Sequence, residues 1–328
     1  VKNRKDDGGE PDPVIGVSVR GMLSKPEIDA RMLRPADVYP VFENALSARD
    51  GLSPEQARHR IAAFMSRGTA RADGNPYAWF DRFRPPSEFE DVTASNRLTA
   101  EPYTKCMNSF ANVDQGSALL VTTLAIATEA GLADQCIFPW ANANNADVVP
   151  AARGDLASSV GLRAASRASF AAAGVGIDDV DFIDIYSCFP VAVQIGAAEI
   201  GLALDDPRGL TRTGGMATFG GPGNNYTRHG IAAVAGALRE GGRLGYVSGN
   251  GGLLSKHSIG IYGNAPPPSG FQQPDTSAAQ QEIEATALEV VEAAEGDAIV
   301  AGGTVVYGRE NEPVAAPVIA TLGDGRRV

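Results

Sequence analysis

A regular alternation of helix and strand patterns between residues 162 and 263 limits the fold of this chain more than any other feature. Residues 162–173 carry a helical pattern that Gly174 ends, VDFIDIY follows as a buried strand, and AVQIGAAEIGL predicts the next helix. RLGYVSG and HSIGIYG predict two further strands. Because such elements bury their apolar faces against one another in layers, the sequence predicts an α/β layered fold.

The regions on either side of this segment differ from it in composition. Residues 1–100 are rich in Pro, Arg and aromatic residues and predict a loop-rich region, with a helix in SPEQARHRIAAFMSRG that Ser53 caps ahead of Pro54. After residue 263, NAPPPSGFQQPD has the composition of a linker, and TALEVVEA, DAIVAGGTVVYG and APVIATLGDG predict successive strands. We therefore expect three parts, with boundaries at 1–100, 101–264 and 265–328.

Charge and cysteine content exclude several classes of function. The formal net charge is −11 and the 28 basic residues form no long run, which argues against a nucleic-acid partner. Cys106, Cys136 and Cys188 are widely spaced and form no metal-binding pattern, so we expect no metal site and a reducing cytoplasmic location. No apolar run is long enough to span a membrane, and VKNRKDDGGEPDP is too polar for a signal peptide.

The stretch TGGMATFGGPGNNYTRH, residues 213–229, predicts an anion-compatible loop that ends at a helix. Six of its seventeen residues are glycine or proline, so its backbone is suited to tight turns. The apolar residues that follow have helical spacing, and Asn224 or Asn225 is expected to cap that helix. Backbone N–H groups at a helix start stabilise negative charge, but the pattern does not identify the ligand.

Five motifs in order along residues 55–263 resemble the thiolase superfamily. The likeness is greatest to the sterol-carrier-protein type of thiolase and to thiolase-like proteins labelled acetyl-CoA acetyltransferase. The motifs are RIAAFMSRGTARADGNPYAWFDRF, KCMNSFANVDQGSALLV, VDFIDIYSCFP at the family's HDCF position, TGGMATFGGP at its GGxxxxGHP position, and VSGNGGLLSKHSIGIYG at its CxGGGxG position.

This resemblance implies a thiolase-like layered fold. Residues 1–100 would be the loop-rich region of the N-terminal half, residues 101–264 the C-terminal βαβαβ half-domain, and residues 265–328 a linker and the start of a small, OB-like β module. The first half-domain, which carries the nucleophilic cysteine in thiolases, is expected to be missing. Thiolases usually dimerise through that half, so the oligomeric state stays open.

At the aligned catalytic positions the chain departs from the family. Gly221 stands where the catalytic histidine is expected, Ser248 where the acid/base cysteine is expected, and Tyr186 where the family has Asn or the His of HDCF. Claisen chemistry needs an activated thiolate and a second thiol, and none of these groups is in its expected place. The resemblance therefore implies ligand binding more directly than it implies catalysis.

Several residues have both a functional and a structural interpretation. Tyr186 ends a buried strand and is either a core tyrosine or the group that transfers a proton, as tyrosines are thought to do in thiolase-fold aldolases. Cys188, His229 and His257 are candidates for chemistry, although buried cysteines are usually inert and histidines often only pack. The catalytic candidates are Tyr186, Ser248, His257, His229 and Cys188. The acyl-CoA-binding candidates are Gly221, Asn224, Asn225, Tyr226, Asn250, Gly251 and Gly252.

Three functions remain open from the sequence. The first is an acyl-CoA-binding acyltransferase of the acetyl-CoA acetyltransferase type, acting in lipid metabolism on a coenzyme A thioester with no other cofactor. The second is a retro-aldol lyase on a β-hydroxyacyl-CoA, with Tyr186 as acid or base and an OB-fold module fused or in trans. The third is a catalytically inactive scaffold that binds lipid or coenzyme A.

Overall fold

The computed structural model describes residues 22–30 and 32–328 of the chain. The polar stretch on which the signal-peptide prediction rests lies outside these residues. The helices are α1 (Lys25–Asp29), α2 (Pro35–Arg49), α3 (Pro54–Thr69), α4 (Ser87–Glu90), α5 (Leu124–Glu129), α6 (Val160–Ala173), α7 (Pro190–Glu199), α8 (Tyr226–Glu240) and α9 (Ser277–Ala285). The strands are β1 (Leu98–Ala100), β2 (Tyr103–Thr104), β3 (Phe138–Ala146), β4 (Phe182–Asp184), β5 (Leu244–Gly251), β6 (Lys256–Gly263), β7 (Ala298–Gly303), β8 (Val306–Tyr307), β9 (Pro313–Ala315) and β10 (Val318–Leu322).

A central four-stranded sheet has the order β3-β6-β5-β4, with β4 and β5 parallel and the other neighbours antiparallel. Successive residues of β5 face opposite sides of this sheet. Tyr246 stacks on Phe170 of α6, with 5.7 Å between ring centroids, whereas Val247 packs with Val234 and Leu238 of α8. Because α6 and α8 cover opposite faces, the predicted α/β layered fold is confirmed.

Local sequence signals explain where most of these helices begin and end. Ser53 caps α3 by accepting the Gln56 N–H, and Gly174 ends α6 in a left-handed conformation with φ of 66°. The predicted N-cap position of α8 is confirmed at Asn225, but the expected side-chain cap does not form. Residues 223–225 form a turn of 3-10 helix that leads directly into α8, and Asn225 at the N-cap position makes no side-chain capping bond.

The C-terminal strands are divided between two sheets. β8 and β9 join β1 and β2 in the order β2-β1-β8-β9, while β7 pairs with β10. The prediction of a strand over TALEVVEA is wrong, because this mostly exposed segment has no continuous partner and makes one isolated bridge, between Val290 and Arg327. An OB-like identity for residues 265–328 stays a prediction.

Among the helices of the described ranges, none has both the length and the apolar character needed to cross a membrane.

Candidate functional site

A largely apolar cavity of about 360 Å³ lies between α3, the segment after β4 and the loop that precedes α8. Its walls include Phe64, Met65, Ile185, Phe189, Val193 and Met216. Arg67 and Arg71 also line it and are exposed, so they lie where the cavity opens to solvent. Concave apolar space of this size with a few polar groups is typical of small-molecule sites.

Glycine at position 214 allows the loop to form the cavity wall. Its φ is 109°, and an added Cβ would lie 2.7 Å from the Ala72 Cβ and 3.1 Å from the Ala72 backbone nitrogen. A side chain here would therefore both strain the backbone and push the loop away from the segment after α3. The first glycine of the TGG motif is thus explained by close approach to Ala72, and the second, Gly215, by its positive φ of 82°.

A chain of hydroxyl groups runs behind this wall from a buried carboxylate at the end of β4. Thr211 Oγ1 donates to Asp184 Oδ2 over 3.2 Å, and Thr213 Oγ1 lies 3.2 Å from Thr211 Oγ1. The Tyr226 hydroxyl lies 2.8 Å from Thr213 Oγ1 and 3.0 Å from Ser187 Oγ. Thr211, next to Asp184, and Ser187, at the far end, both line the cavity, so the hydroxyl chain reaches the cavity at two points.

Tyr226, proposed above as a ligand-binding residue, is fully buried within this chain of hydroxyls. Burial, followed by the charge of Asp184, raises the pKa of Tyr226 above its usual range. Its ring also meets Tyr186 edge-on, with centroids 5.4 Å apart. Tyr226 therefore holds the glycine-rich loop against the end of β4.

None of the residues proposed from the sequence lines the cavity. Tyr186 does not line the cavity and packs against the cluster that contains Met216, Phe219 and Tyr226. Burial raises the pKa of Tyr186 above its usual range, so its phenol stays protonated at neutral pH. The buried Ser248 hydroxyl accepts the Tyr186 backbone N–H over 2.9 Å, which ties β5 to the end of β4.

Cys188, Asn250 and Gly252 meet around the buried Tyr39 hydroxyl. Asn250 Nδ2 lies 3.1 Å from this hydroxyl and 3.6 Å from Cys188 Sγ. The Tyr39 hydroxyl donates to the Gly252 carbonyl over 3.5 Å. Burial raises the pKa of Cys188 to about 11, which keeps the thiol protonated near pH 7. This group has the contacts of an internal polar cluster.

The region around Gly221 is filled by the segment that follows β2. The Ser109 hydroxyl occupies the space that a Cβ on Gly221 would take, and Gly221 N–H donates to the Phe110 carbonyl over 2.8 Å. Asn224 is exposed, whereas the Asn225 Oδ1 is buried without a hydrogen-bond partner among the described residues.

The two histidine candidates lie apart from each other. His229 packs edge-on against Phe219, with ring centroids 5.2 Å apart, and burial lowers its pKa. His257 Nε2 lies 2.9 Å from Asp147 Oδ2 and 3.1 Å from the Ser159 hydroxyl. Burial opposes ionisation of Asp147, but the Arg153 charge and the His257 hydrogen bond prevail and lower its pKa to about 2.

An open groove at the β5–β6 hairpin brings together three of the proposed residues, Asn250, Gly251 and His257. The cavity and the hydroxyl chain contain residues that the sequence reasoning did not propose, among them Asp184, Ser187, Thr211, Thr213 and Arg71. One signal for them was available, because an acidic residue inside the apolar strand VDFIDIY must find buried hydrogen-bond partners.

Comparison with protein-family models found no match, and comparison with curated proteins found none either. Among solved structures, the crystal structure of a monomeric SCP2-thiolase like protein type 1 from Mycobacterium smegmatis is similar to this chain. The TM-score is 0.85 and the sequence identity 35%, and the alignment covers 92% of this chain and 67% of that one.

Proposed function

Because this chain belongs to the SCP2-thiolase-like proteins, we propose that it binds an acyl-CoA thioester, with the acyl group in the cavity beside α3. The single observation that carries this proposal is the composition of the cavity wall. It combines the segment after β4 with the glycine-rich loop, the two stretches in which the sequence most resembles thiolase active-site motifs. An apolar cavity between them matches an acyl chain, whose burial contributes about 0.8 kcal/mol per methylene.

The charges at the cavity opening support an anionic nucleotide group outside the apolar part. Arg67 and Arg71 line the opening. Burial, followed by the Arg71 charge, lowers the pKa of Arg212, a third arginine that does not itself line the cavity. Two carboxylates line the same opening: Asp206 is paired with Arg208 over 2.9 Å and competes little for these cations, whereas Asp205 is exposed. Arginine is well suited to bind phosphate groups.

Acyl transfer, the finer expectation from the sequence, has less support than binding. It requires a thiolate or another activated nucleophile. Cys188 has a raised pKa, and the Ser248 hydroxyl is buried against a backbone N–H. No contact in the described part of the chain favours a retro-aldol reaction at Tyr186 over simple packing. We therefore keep the proposal to binding.

Calorimetric titration with acetyl-CoA, hexanoyl-CoA and free coenzyme A tests this proposal. We expect affinity to rise by roughly fourfold per methylene until the cavity is filled. Arg71→Ala should weaken hexanoyl-CoA binding by about tenfold. Arg167→Ala, which removes an exposed arginine of α6 that does not line the cavity, should leave it unchanged. The proposal is wrong if neither acyl-CoA binds at millimolar concentration.

A further inference from the structure

The hydroxyl chain behind the cavity wall contains donors that are fixed and donors that can turn. Backbone N–H groups point at its oxygens and cannot reverse: Arg212 donates to Asp184 over 2.8 Å, Gly214 to Thr211 over 3.1 Å and Met216 to Ser187 over 3.1 Å. The hydrogens on the hydroxyls of Thr, Ser and Tyr rotate freely. The direction of the whole chain is therefore set by whichever end has a fixed preference.

The end that fixes the direction of the hydrogen bonds is Asp184. When its carboxylate is ionised it only accepts, so Thr211 donates to Asp184, Thr213 to Thr211, Tyr226 to Thr213 and Ser187 to Tyr226. Ser187 then has no hydrogen left to donate into the cavity. When Asp184 is protonated it donates to Thr211, every hydroxyl turns around, and the Ser187 hydrogen is free to point into the cavity.

The surroundings of Asp184 place the proton on the oxygen that faces Thr211. Its Oδ1 packs against Gly230 of α8, where an added Cβ would lie 2.7 Å away, and its partner in β5 is Val247. Neither neighbour offers a side-chain acceptor, whereas Oδ2 has the Thr211 hydroxyl. The charged or titratable groups that act on this carboxyl are Arg212, on the loop, and Tyr226, on α8.

We propose that Ser187 hydrogen-bonds the carbonyl oxygen of the bound acyl thioester, and that Asp184 sets through Thr211, Thr213 and Tyr226 whether it can do so. This inference rests on the proposed acyl-CoA binding and adds the residue that orients the thioester. Ser187 is the contact residue, and the other four are positioning residues. A thioester carbonyl only accepts hydrogen bonds, so it binds the protonated state of the chain more tightly.

The titration of Asp184 falls in an accessible pH range. Burial raises the pKa of Asp184 to about 6, although hydrogen bonds from the Arg212 N–H and the Thr211 hydroxyl oppose the shift. Ligand affinity should therefore be higher below pH 6 and fall as the pH rises through that value. One neutral hydrogen bond corresponds to a fall of about 3- to 10-fold.

The test measures the affinity of S-hexanoyl-pantetheine, which lacks the titratable phosphates of coenzyme A, at pH 5 and pH 7.5. The wild type should lose about 3- to 10-fold in affinity between these values. Ser187→Ala should bind equally at both, at the weaker level. Asp184→Asn should do the same. A protonated carboxyl oxygen can donate to Thr211 and still accept the Arg212 N–H, but an amide NH2 group cannot accept, so the amide oxygen faces Arg212 and Thr211 stays the donor.

Two further results separate this role from a structural one. The Asp184→Asn and Ser187→Ala effects should not add in the double variant, because both remove the same hydrogen bond. Ser187→Thr, which retains the hydroxyl, should restore the pH dependence. Equal losses at both pH values, or additive losses, would overturn the proposal.

A readout without ligand distinguishes failure of this inference from failure of the proposed function. Isotope-edited infrared difference spectra of the tyrosine C–O stretch should show a shift for one residue between pH 5 and pH 7.5, because Tyr226 donates to Thr213 in one state and to Ser187 in the other. The band should be lost in both Tyr226→Phe and Asp184→Asn. If the pH-dependent band is present but no thioester binds, the proposed acyl-CoA binding is wrong and the coupling of Tyr226 to Asp184 still holds. If thioesters bind and the band is absent, the coupling to Asp184 is wrong.

Discussion

The five residues after β4 present two different surfaces, because side chains of extended backbone alternate in direction. Ile185, Ser187 and Phe189 line the cavity, and we call this the cavity side. Tyr186 and Cys188 lie on what we call the motif side, where Ser248 and Asn250 also lie. The cavity side has empty apolar space with arginines at its opening. On the motif side, Ser248 accepts the Tyr186 backbone N–H, and the Asn250 amide N–H lies near the Tyr39 hydroxyl and Cys188 Sγ, while the buried Asn250 Oδ1 has no partner among the described residues.

This difference shows that likeness to a catalytic motif and capacity to hold a ligand are separate properties. Two positions that the resemblance aligns with catalytic residues, Tyr186 and Ser248, fall on the motif side, where they are joined by an internal hydrogen bond. The space for a ligand lies on the cavity side, one residue away in the chain. Variants on the cavity side should therefore change affinity, and variants on the motif side should change stability.

The largest effect is expected from Gly214→Val, which tests whether the loop must approach Ala72 to form the cavity wall. Valine would adopt a disfavoured positive φ and meet the Ala72 Cβ, at a combined cost of about 3 kcal/mol in the free energy of unfolding. Urea unfolding measures it. Gly223→Val is the matched control, because Gly223 also has a positive φ but no atom within 4 Å of its added Cβ. Equal losses in the two variants would show that the contact with Ala72 is unimportant.

Alkylation of Cys188 tests whether the motif side holds a nucleophile. A pKa raised from 9.0 to about 11 lowers the thiolate fraction near pH 7.5 by about 100-fold. Iodoacetamide should therefore modify Cys188 about 100-fold more slowly than N-acetylcysteine, and the rate should rise about tenfold per pH unit until pH approaches 11. Peptide mass spectrometry, with Cys188→Ser to assign the site, gives the rates. Modification as fast as that of the small thiol would reopen acyl transfer as a function of this chain.

Filling the cavity is expected to change affinity more than stability. Val193 of α7 is buried and lines the cavity, so the larger ring in Val193→Phe extends into empty space. We expect hexanoyl-CoA affinity to fall by about tenfold, with the free energy of unfolding changed by less than about 1 kcal/mol. Val193→Ala, which enlarges the space, should retain binding. Calorimetry and urea unfolding together check both parts, and unchanged affinity in the phenylalanine variant would place the ligand elsewhere.

The sequence predicted those parts of the molecule whose causes are local. Helical spacing, the Ser53 cap and the Gly174 stop act within a few residues, and the central layers follow from them. The pairing of β1 with β8 was not predictable, because the partners Ala100 and Val306 are far apart in the sequence and no local signal links them. The strand prediction for TALEVVEA was wrong for the same reason, because a β-strand composition does not supply a partner strand.

The candidate site was harder to predict than the fold. Motif alignment singled out the segment after β4, which also lines the cavity, but directed attention to Tyr186 and Cys188, which do not line it. Its walls come from residues as distant as Phe64, Val193 and Met216, and only their packing shows the empty space. The hydroxyl chain likewise joins Asp184 to Ser187 through a loop that returns to the strand end.

The smallest effect is expected from Ser248→Ala, which replaces the residue at the family's cysteine position. Loss of the hydroxyl leaves the Tyr186 backbone N–H without its partner, at a cost of about 1 kcal/mol in the free energy of unfolding. Hexanoyl-CoA affinity should stay within about twofold of the wild type, because Ser248 does not line the cavity. Ser258→Ala, at an exposed position of β6, is the control for a general effect of removing a serine hydroxyl. A tenfold loss of affinity without loss of stability would mean that the motif side contacts the ligand directly, and the contrast between the two sides would no longer hold.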